Sequence, residues 1–359
     1  MNIAEEFCRG SAGLSRRRFL TVAGCGLAAT SLSDLAIGQS GHADMLRKSI
    51  PRTGELVPAI GLGTFRTFDG LPGQPREPLK EVLRRFLAGG GRLVDTSPLY
   101  GSAEVNVGDF AAQIGERQGM FVASKIWSTG DYLGDTSHAE RSLYRTLERL
   151  WRDRIDLMQC HSLTNLEAVL GIMRAWKREG RIRLLGVTHH DMAYLQPLGD
   201  SIERDSLDFV QLHYSIFERR AEDRLLPGAA DRGTAVLVNM PLEKARLHAL
   251  VGRRPLPDFA KELGIANWAQ YFLKWVVSHP AVTCAIPATS NPDHVLENLG
   301  AMRGPMPDAA MRRRMVQYME TVPGFANLDK LGPRSWYPGK TYPGLITQAQ
   351  AELRNRVAP

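Results

Sequence analysis

Eight short, nearly continuous apolar runs fall at residues 60–63, 93–95, 121–124, 157–160, 184–187, 209–211, 235–238 and 283–286. Runs of this length mark strands buried on both faces of a parallel sheet. The intervals between them change period. Leu143, Leu147 and Leu150 are spaced by four and three, and Val169, Met173 and Trp176 share one face of a helix that stops at Glu179-Gly180. Trp268, Phe272 and Trp275 also lie at helical spacing and read as core. Before the first run, residues 49–58 read as a hairpin with Thr53-Gly54 at its turn. Eight strands alternating with helices predict an α/β fold, a (β/α)8 TIM barrel with an N-terminal β-hairpin. A doubly wound sheet is the other arrangement of such elements. It is disfavoured because Gly61 and Gly63 lack the third glycine of the dinucleotide fingerprint and their run ends without opening a helix.

From about Pro305 the pattern weakens. Residues 307–320 read as one more helix, and beyond Gly324 come Pro333, Trp336, Tyr337, Pro338, Tyr342 and Pro343. This aromatic tail is expected either to cross or cap the barrel or to dock loosely. The chain thus divides into a leader (1–40), a barrel (41–305) and a C-terminal helix with aromatic tail (306–359).

Composition refines this picture. Hydrophobic residues make up 43% of 359, enough for a large core, and no apolar run is long enough to promise a membrane span. The net charge is +7, but Lys and Arg are scattered with little aromatic interleaving, which argues for a solvated basic surface and against a nucleic-acid partner. Of the four cysteines, Cys8 and Cys25 lie in the leader, while Cys160 and Cys284 sit in apolar runs and read as buried free thiols. In the leader, Ser15-Arg16-Arg17-Arg18-Phe19-Leu20 precedes a small-residue apolar stretch to about Ile37. It resembles a twin-arginine export signal, with a cut expected before Gln39, the twin-arginine machinery as partner and the periplasm as destination. Val22-Ala23-Gly24-Cys25 looks like a lipobox on a very short apolar run. The alternative is an uncleaved basic tail on a cytoplasmic protein.

Candidate chemistry lies at the ends of the runs. Asp95, Lys125 and His161 end or follow three of them, and Tyr100 stands five residues after Asp95. Barrels of this kind keep their chemistry at the C-terminal ends of the strands. A free phenol has a pKa of about 10, and an adjacent ammonium would lower it. Lys125 is expected to play that part, held by Asp95, with His161 donating to a substrate oxygen and Tyr100 protonating it. That is machinery for reducing a carbonyl. Trp127, two residues past Lys125, is expected to line the substrate pocket. His189 and His190 would face opposite sides of a strand, so no shared metal is expected. His213 and His279 lack acidic or cysteine partners nearby in sequence and read as structural.

From about Ile50 to Met302 the chain resembles the aldo/keto reductase family. The motifs that carry the resemblance are Val57-Pro58-Ala59-Ile60-Gly61-Leu62-Gly63-Thr64, Val94-Asp95-Thr96 through Tyr100-Gly101, Ser124-Lys125, Cys160-His161-Ser162, and Ile286-Pro287-Ala288-Thr289 running on to Glu297-Asn298. The resemblance implies a (β/α)8 barrel and NADPH bound in extended form, with NADH as the alternative. It also implies direct hydride transfer to a small carbonyl substrate and a catalytic tetrad of Asp95, Tyr100, Lys125 and His161. It places Gly63 and Thr64 at the nicotinamide ribose and Gln211 at the carboxamide. Thr188-His189 stands where the family usually has Ser-Asn, and Asn239 where an aromatic often stacks. Met240 and Leu242 continue that segment. Pro287, Ala288, Thr289 and His294 fall in the 2′-phosphate region, where Ala288 and His294 replace basic side chains, and Asn291 would open the following helix. Glu297 and Asn298 match the adenine contacts. A second class of function, a nicotinamide-binding sensor with little turnover, is suggested by the altered His189 and Asn239, while the intact tetrad argues for an enzyme.

Overall fold

The computed structural model describes residues 45–71, 73–127 and 137–331. Arg16-Arg17, Cys25, the cut before Gln39 and the tail aromatics Trp336, Tyr337 and Tyr342 lie outside the described residues. The described chain opens with β1 (Arg47–Ser49) paired antiparallel to β2 (Leu56–Pro58). The N–H groups of Thr53 and Gly54 both donate to the Ile50 carbonyl, at 3.1 and 2.9 Å. Gly54 has φ +72°, a turn conformation that glycine takes at no steric cost.

The expected alternation follows. It runs β3 (Leu62–Gly63), α1 (Glu77–Ala88), β4 (Leu93–Asp95), α2 (Ala103–Gln113), β5 (Phe121–Ile126) and α3 (Ser137–Leu150). Next come β6 (Ile155–His161), α4 (Leu166–Arg178), β7 (Ile182–His189), α5 (Leu195–Arg204), β8 (Phe209–His213), α6 (Leu225–Arg232) and β9 (Ala235–Asn239). The described part ends with α7 (Arg246–Val251), α8 (Trp268–Val277), β10 (Cys284–Ala285), α9 (Pro292–Gly300) and α10 (Ala309–Glu320), followed by a short 3-10 turn, Phe325–Lys330. Strands β3 to β10 form one eight-stranded sheet in sequential order, every pair parallel. The sheet curls until its edges meet. Parallel bridges join Ile60 to Ala285 and Gly63 to Ala288, and Gly61 N–H donates to the Ala285 carbonyl at 2.8 Å. This is consistent with the expected (β/α)8 barrel.

Side-chain alternation along each strand divides the core in two. The inner cluster takes Leu93, Phe121, Ala123, Leu157, Leu184, Phe209, Leu237, Cys284 and Ile286, closed from below by Ile50 and Val57 of the hairpin. The other register faces the helices: Val94, Val122, Met158, Val187, Val210 and Val236 pack with helix residues such as Leu143, Met173 and Trp176. Each fully buried Leu or Phe contributes about 1.5–3 kcal/mol by leaving water. Trp268, Phe272 and Trp275 are buried in α8 as expected. Cys160 and Cys284 are buried free thiols, and burial pushes Cys160 up to about 12. One glycine contact sets a helix spacing: a Cβ at Gly108 in α2 would stand 2.1 Å from the Arg149 carbonyl of α3.

Candidate active site

The inward register of β4, β5 and β6 ends in polar residues. Above Leu93 stands Asp95, above Ala123 stands Lys125, and above Leu157 stand Gln159 and His161. Tyr100 arrives from the loop after β4, where its N–H donates to the Ser97 carbonyl at 3.0 Å. Lys125 Nζ donates to both Asp95 oxygens, at 2.9 and 2.7 Å, and to the Thr96 carbonyl at 2.8 Å. That satisfies all three ammonium donors. Both side chains are buried, Lys125 at 1% and Asp95 at 3% exposure, so neither charge is screened by solvent. Burial pushes Lys125 below its ordinary value, against the opposing charge and hydrogen bonds of Asp95. The Lys125 ammonium also lies 4.8 Å from the centroid of the Tyr100 ring. His161 meets that ring edge-on at 6.0 Å, and Phe65 lies 5.0 Å from it. The four predicted catalytic side chains therefore converge.

The sequence reading expected Lys125 to lower the Tyr100 pKa, and the structure reverses the direction. Burial pushes the phenol well above its ordinary value, and the Asp95 charge adds to the rise. Lys125 is neutralised by Asp95 at contact distance and faces the ring of Tyr100, so little of its field reaches the phenol. Tyr100 is thus held protonated, the state a proton donor requires. His161 is driven well below its ordinary value, first by burial and then by the charges of Lys125, His190 and His189. It is a neutral imidazole, with Nδ1 3.4 Å from Ser97 Oγ.

The remaining strand ends carry the residues matched to the dinucleotide. Gln211 Nε2 donates to Asp95 Oδ1 at 2.7 Å, and Gln211 Oε1 accepts from Thr188 Oγ1 at 2.8 Å. Thr64 Oγ1 donates to the Asp95 carbonyl at 2.9 Å. These bonds tie the expected cofactor side to Asp95 across the top of the sheet. Gly63 N–H donates to the Pro287 carbonyl at 3.0 Å, and a Cβ there would stand 2.8 Å from the Ile286 carbonyl. Ala288 and Thr289 follow directly, and His294, Glu297 and Asn298 lie on α9, capped by Asn291 through the Asp293 N–H at 2.9 Å. The His294 ring nitrogens lie 3.4 Å from Thr289 Oγ1 and 3.3 Å from Asn291 Nδ2. Trp127 immediately follows β5 and is partly buried.

One histidine reading is corrected. His189 and His190 do not point apart. Their rings stack at 5.7 Å and 6°, because β7 and its alternation end at His189. His189 also stacks on Tyr194 at 3.7 Å, and its Nδ1 accepts the Asp191 N–H at 3.0 Å. Among the described residues, no group of three or more His, Cys, Asp or Glu side chains could hold a metal ion. His213 does have an acidic partner: Glu243 Oε1 lies 2.5 Å from its Nε2.

Comparison with known proteins decides the family. Residues 59–314 match the model of the aldo/keto reductase family. This chain belongs to the aldo/keto reductase family. It is 30% identical over 267 residues to methylglyoxal reductase YeaE of Escherichia coli (strain K12), covering 72% of this chain and 90% of the relative. An NADH-specific methylglyoxal reductase of the same organism is 25% identical over 281 residues, covering 64% of this chain and 85% of the relative. Among solved structures, an aldo/keto reductase from Klebsiella pneumoniae in complex with NADP and acetate matches with a TM-score of 0.60 and 28% identity, covering 74% of this chain and 92% of that one.

Within this aldo/keto reductase, sequence reasoning missed Ser97, Gln159 and Glu243. Gln159 shares the inward face with His161 and places Nε2 3.5 Å from Asp95 Oδ1. Its two-residue offset from His161 was the available signal. Ser97 stands two residues after Asp95 in the same way. Glu243 had no local signal. It belongs to the segment after β9, where the non-glycine residues Met240, Glu243, Lys244 and Ala245 hold φ of 52°, 53°, 49° and 58°. Each costs on the order of 1–3 kcal/mol and persists only where its surroundings impose it.

Proposed function

We propose that this reductase converts an aldehyde or ketone group of a small substrate to the alcohol by direct hydride transfer from NADPH, with NADH as the alternative donor and Tyr100 as general acid, on a closed (β/α)8 barrel. The observation that carries the reading is the convergence on the Tyr100 ring of His161, edge-on at 6.0 Å, and of the Lys125 ammonium at 4.8 Å, itself paired with buried Asp95 at 2.7 Å. The chain's residues fit a nicotinamide dinucleotide. Among the described residues, Asn239 Oδ1 at the end of β9 is buried with no hydrogen-bond partner, a polar atom left for a ligand to satisfy. The residues at the ends of β3 and β7 to β10, with those of α9, would hold the dinucleotide, and when bound its reduced nicotinamide supplies the hydride.

The chain's own groups do the rest. Tyr100 passes its proton to the carbonyl oxygen as charge develops there, and His161 orients that oxygen by a hydrogen bond. Asp95 keeps Lys125 charged and fixed beneath the Tyr100 ring. Trp127 forms a wall of the substrate pocket. The relatives support a first choice of substrate, since two of them are named methylglyoxal reductases. Purified protein is expected to consume NADPH, read as loss of absorbance, with a panel of aldehydes headed by 2-oxoaldehydes. Tight NADPH binding without turnover on a broad panel would favour the sensing reading instead.

We further propose export through the twin-arginine route, on the strength of Arg16-Arg17 followed by Phe19-Leu20 and a small apolar stretch. Changing Arg16 and Arg17 to Lys is expected to retain the precursor in the cytoplasm, measured by fractionation and immunoblotting. Unchanged export would remove this assignment.

A further inference from the structure

Two loops meet beside the Tyr100 ring. The loop after β3 carries Phe65 and, four residues on, Asp69; the loop after β4 carries Tyr100, Gly101 and Ser102. Asp69 Oδ1 accepts the Ser102 N–H at 2.8 Å and lies 3.0 Å from Ser102 Oγ. Ser102 stands at the N-terminus of α2, and its own side chain makes no cap bond there. A carboxylate at that end satisfies a free backbone donor and suits the positive pole of the helix. Gly101 makes the approach possible. It has φ +63°, and a Cβ at position 101 would collide with the Asp69 carboxylate. The contact therefore depends on a glycine directly after Tyr100.

Asp69 is itself held in place. Asn106 of α2, 1% exposed, donates through Nδ2 to the carbonyls of Phe68 and Gly70, the residues on either side of Asp69, at 2.7 and 2.8 Å. Arg76 Nη1 donates to Asn106 Oδ1 at 2.8 Å, which orients the amide toward those carbonyls. The same loop touches the phenol ring through Phe65 at 5.0 Å. On the side of β4 the Tyr100 loop is closed by its N–H to the Ser97 carbonyl at 3.0 Å, and on the side of α2 it is fastened by Asp69.

We propose that Asp69 is a positioning residue for Tyr100: its carboxylate, seated against Gly101 and bonded to the Ser102 N–H, fixes the loop that aims the phenol at the carbonyl oxygen. This rests on the functional reading above, in which Tyr100 is the proton donor. A carboxylate that only capped α2 would raise the melting temperature and leave kcat alone. The test uses the full chain with Asp69→Ala and Asp69→Asn, and with Asp69→Ala combined with Tyr100→Phe. Turnover on an aldehyde, NADPH affinity by fluorescence titration and the melting temperature are measured on each.

Asp69→Ala is expected to lower kcat by about ten-fold or more, the scale of loss when a catalytic group is slightly misplaced, while NADPH affinity stays at the parental level. Asp69→Asn keeps an acceptor oxygen in the same place and should recover most of the kcat. In the Tyr100→Phe background Asp69→Ala should lower kcat no further, because no proton is left to aim and residues acting through one group are not additive. Parental kcat in a folded Asp69→Ala protein overturns the proposal. An equal further loss in the Tyr100→Phe background also overturns it, since that marks a general disturbance of the site. If Asp69→Ala does not fold, Ser102→Ala removes the hydroxyl beside the same carboxylate and should lower kcat by about three-fold; parental kcat there overturns the proposal equally. A parent chain that reduces no carbonyl overturns the functional reading, and the proposal with it, whereas the variants overturn the proposal alone.

Discussion

Tyr100→Phe is expected to lower kcat for carbonyl reduction by about 10²- to 10⁴-fold, the range that general acid catalysis supplies, while NADPH affinity stays close to that of the parent. The substitution deletes one hydroxyl and keeps the ring, so its packing against Phe65 at 5.0 Å and His161 at 6.0 Å survives. No residue matched to the dinucleotide changes its partners. Steady-state kinetics on an aldehyde, with nucleotide titration alongside, separate the two quantities. Parental turnover in Tyr100→Phe would remove the proton donor from the mechanism. Equal losses in kcat and in affinity would point to a disturbed fold.

The second large effect is expected at Lys125. Among the described residues, Lys125→Met leaves buried Asp95 with the amides of Gln211 at 2.7 Å and Gln159 at 3.5 Å on its side chain. Removing one partner of a buried ion pair costs about 3–5 kcal/mol because the other charge stays behind. A lower melting temperature and a loss of turnover are therefore expected together. The two are separable. Adding Asp95→Asn removes the stranded charge and should recover much of the melting temperature, without restoring turnover, because the ammonium that packs 4.8 Å from the Tyr100 ring and orients it is still missing. Thermal melts and kinetics on the single and double variants check this. A double variant no more stable than Lys125→Met would show that the stranded charge is not what destabilises it, and a double variant that recovers parental turnover would show that the pair is dispensable to catalysis.

The direction of the Tyr100 shift shows where local reasoning fails. Tyr100 and Lys125 are twenty-five positions apart in sequence, and only their placement at the ends of neighbouring apolar runs suggests an ammonium acting on a phenol. The structure adds two terms that oppose this. Burial penalises the phenolate, and Asp95, bonded to Lys125 at 2.7 and 2.9 Å, cancels the field that would have helped it. The correct species at rest is a protonated phenol. His213 shows the same limit. Its partner Glu243 lies thirty residues away and becomes a neighbour only because the chain turns back after β9.

The sequence by itself determined the strand positions, because a strand buried on both faces must be apolar throughout, and each expected run contains or overlaps a strand of the sheet. It determined the candidate catalytic residues for the same reason: polar groups ending apolar runs are conspicuous, and the period of two places Asp95, Lys125 and His161 on the inward face. It determined the hairpin turn at Gly54, where a positive φ suits glycine. Only the tertiary structure decided how these groups are charged and what holds them. The bond from Gln211 to Asp95 and the pairing of His213 with Glu243 join strands and loops distant in sequence. Hydrogen bonds and burial depend on distances in space, and hydrophobic periodicity carries information only about which face of its own element a residue occupies.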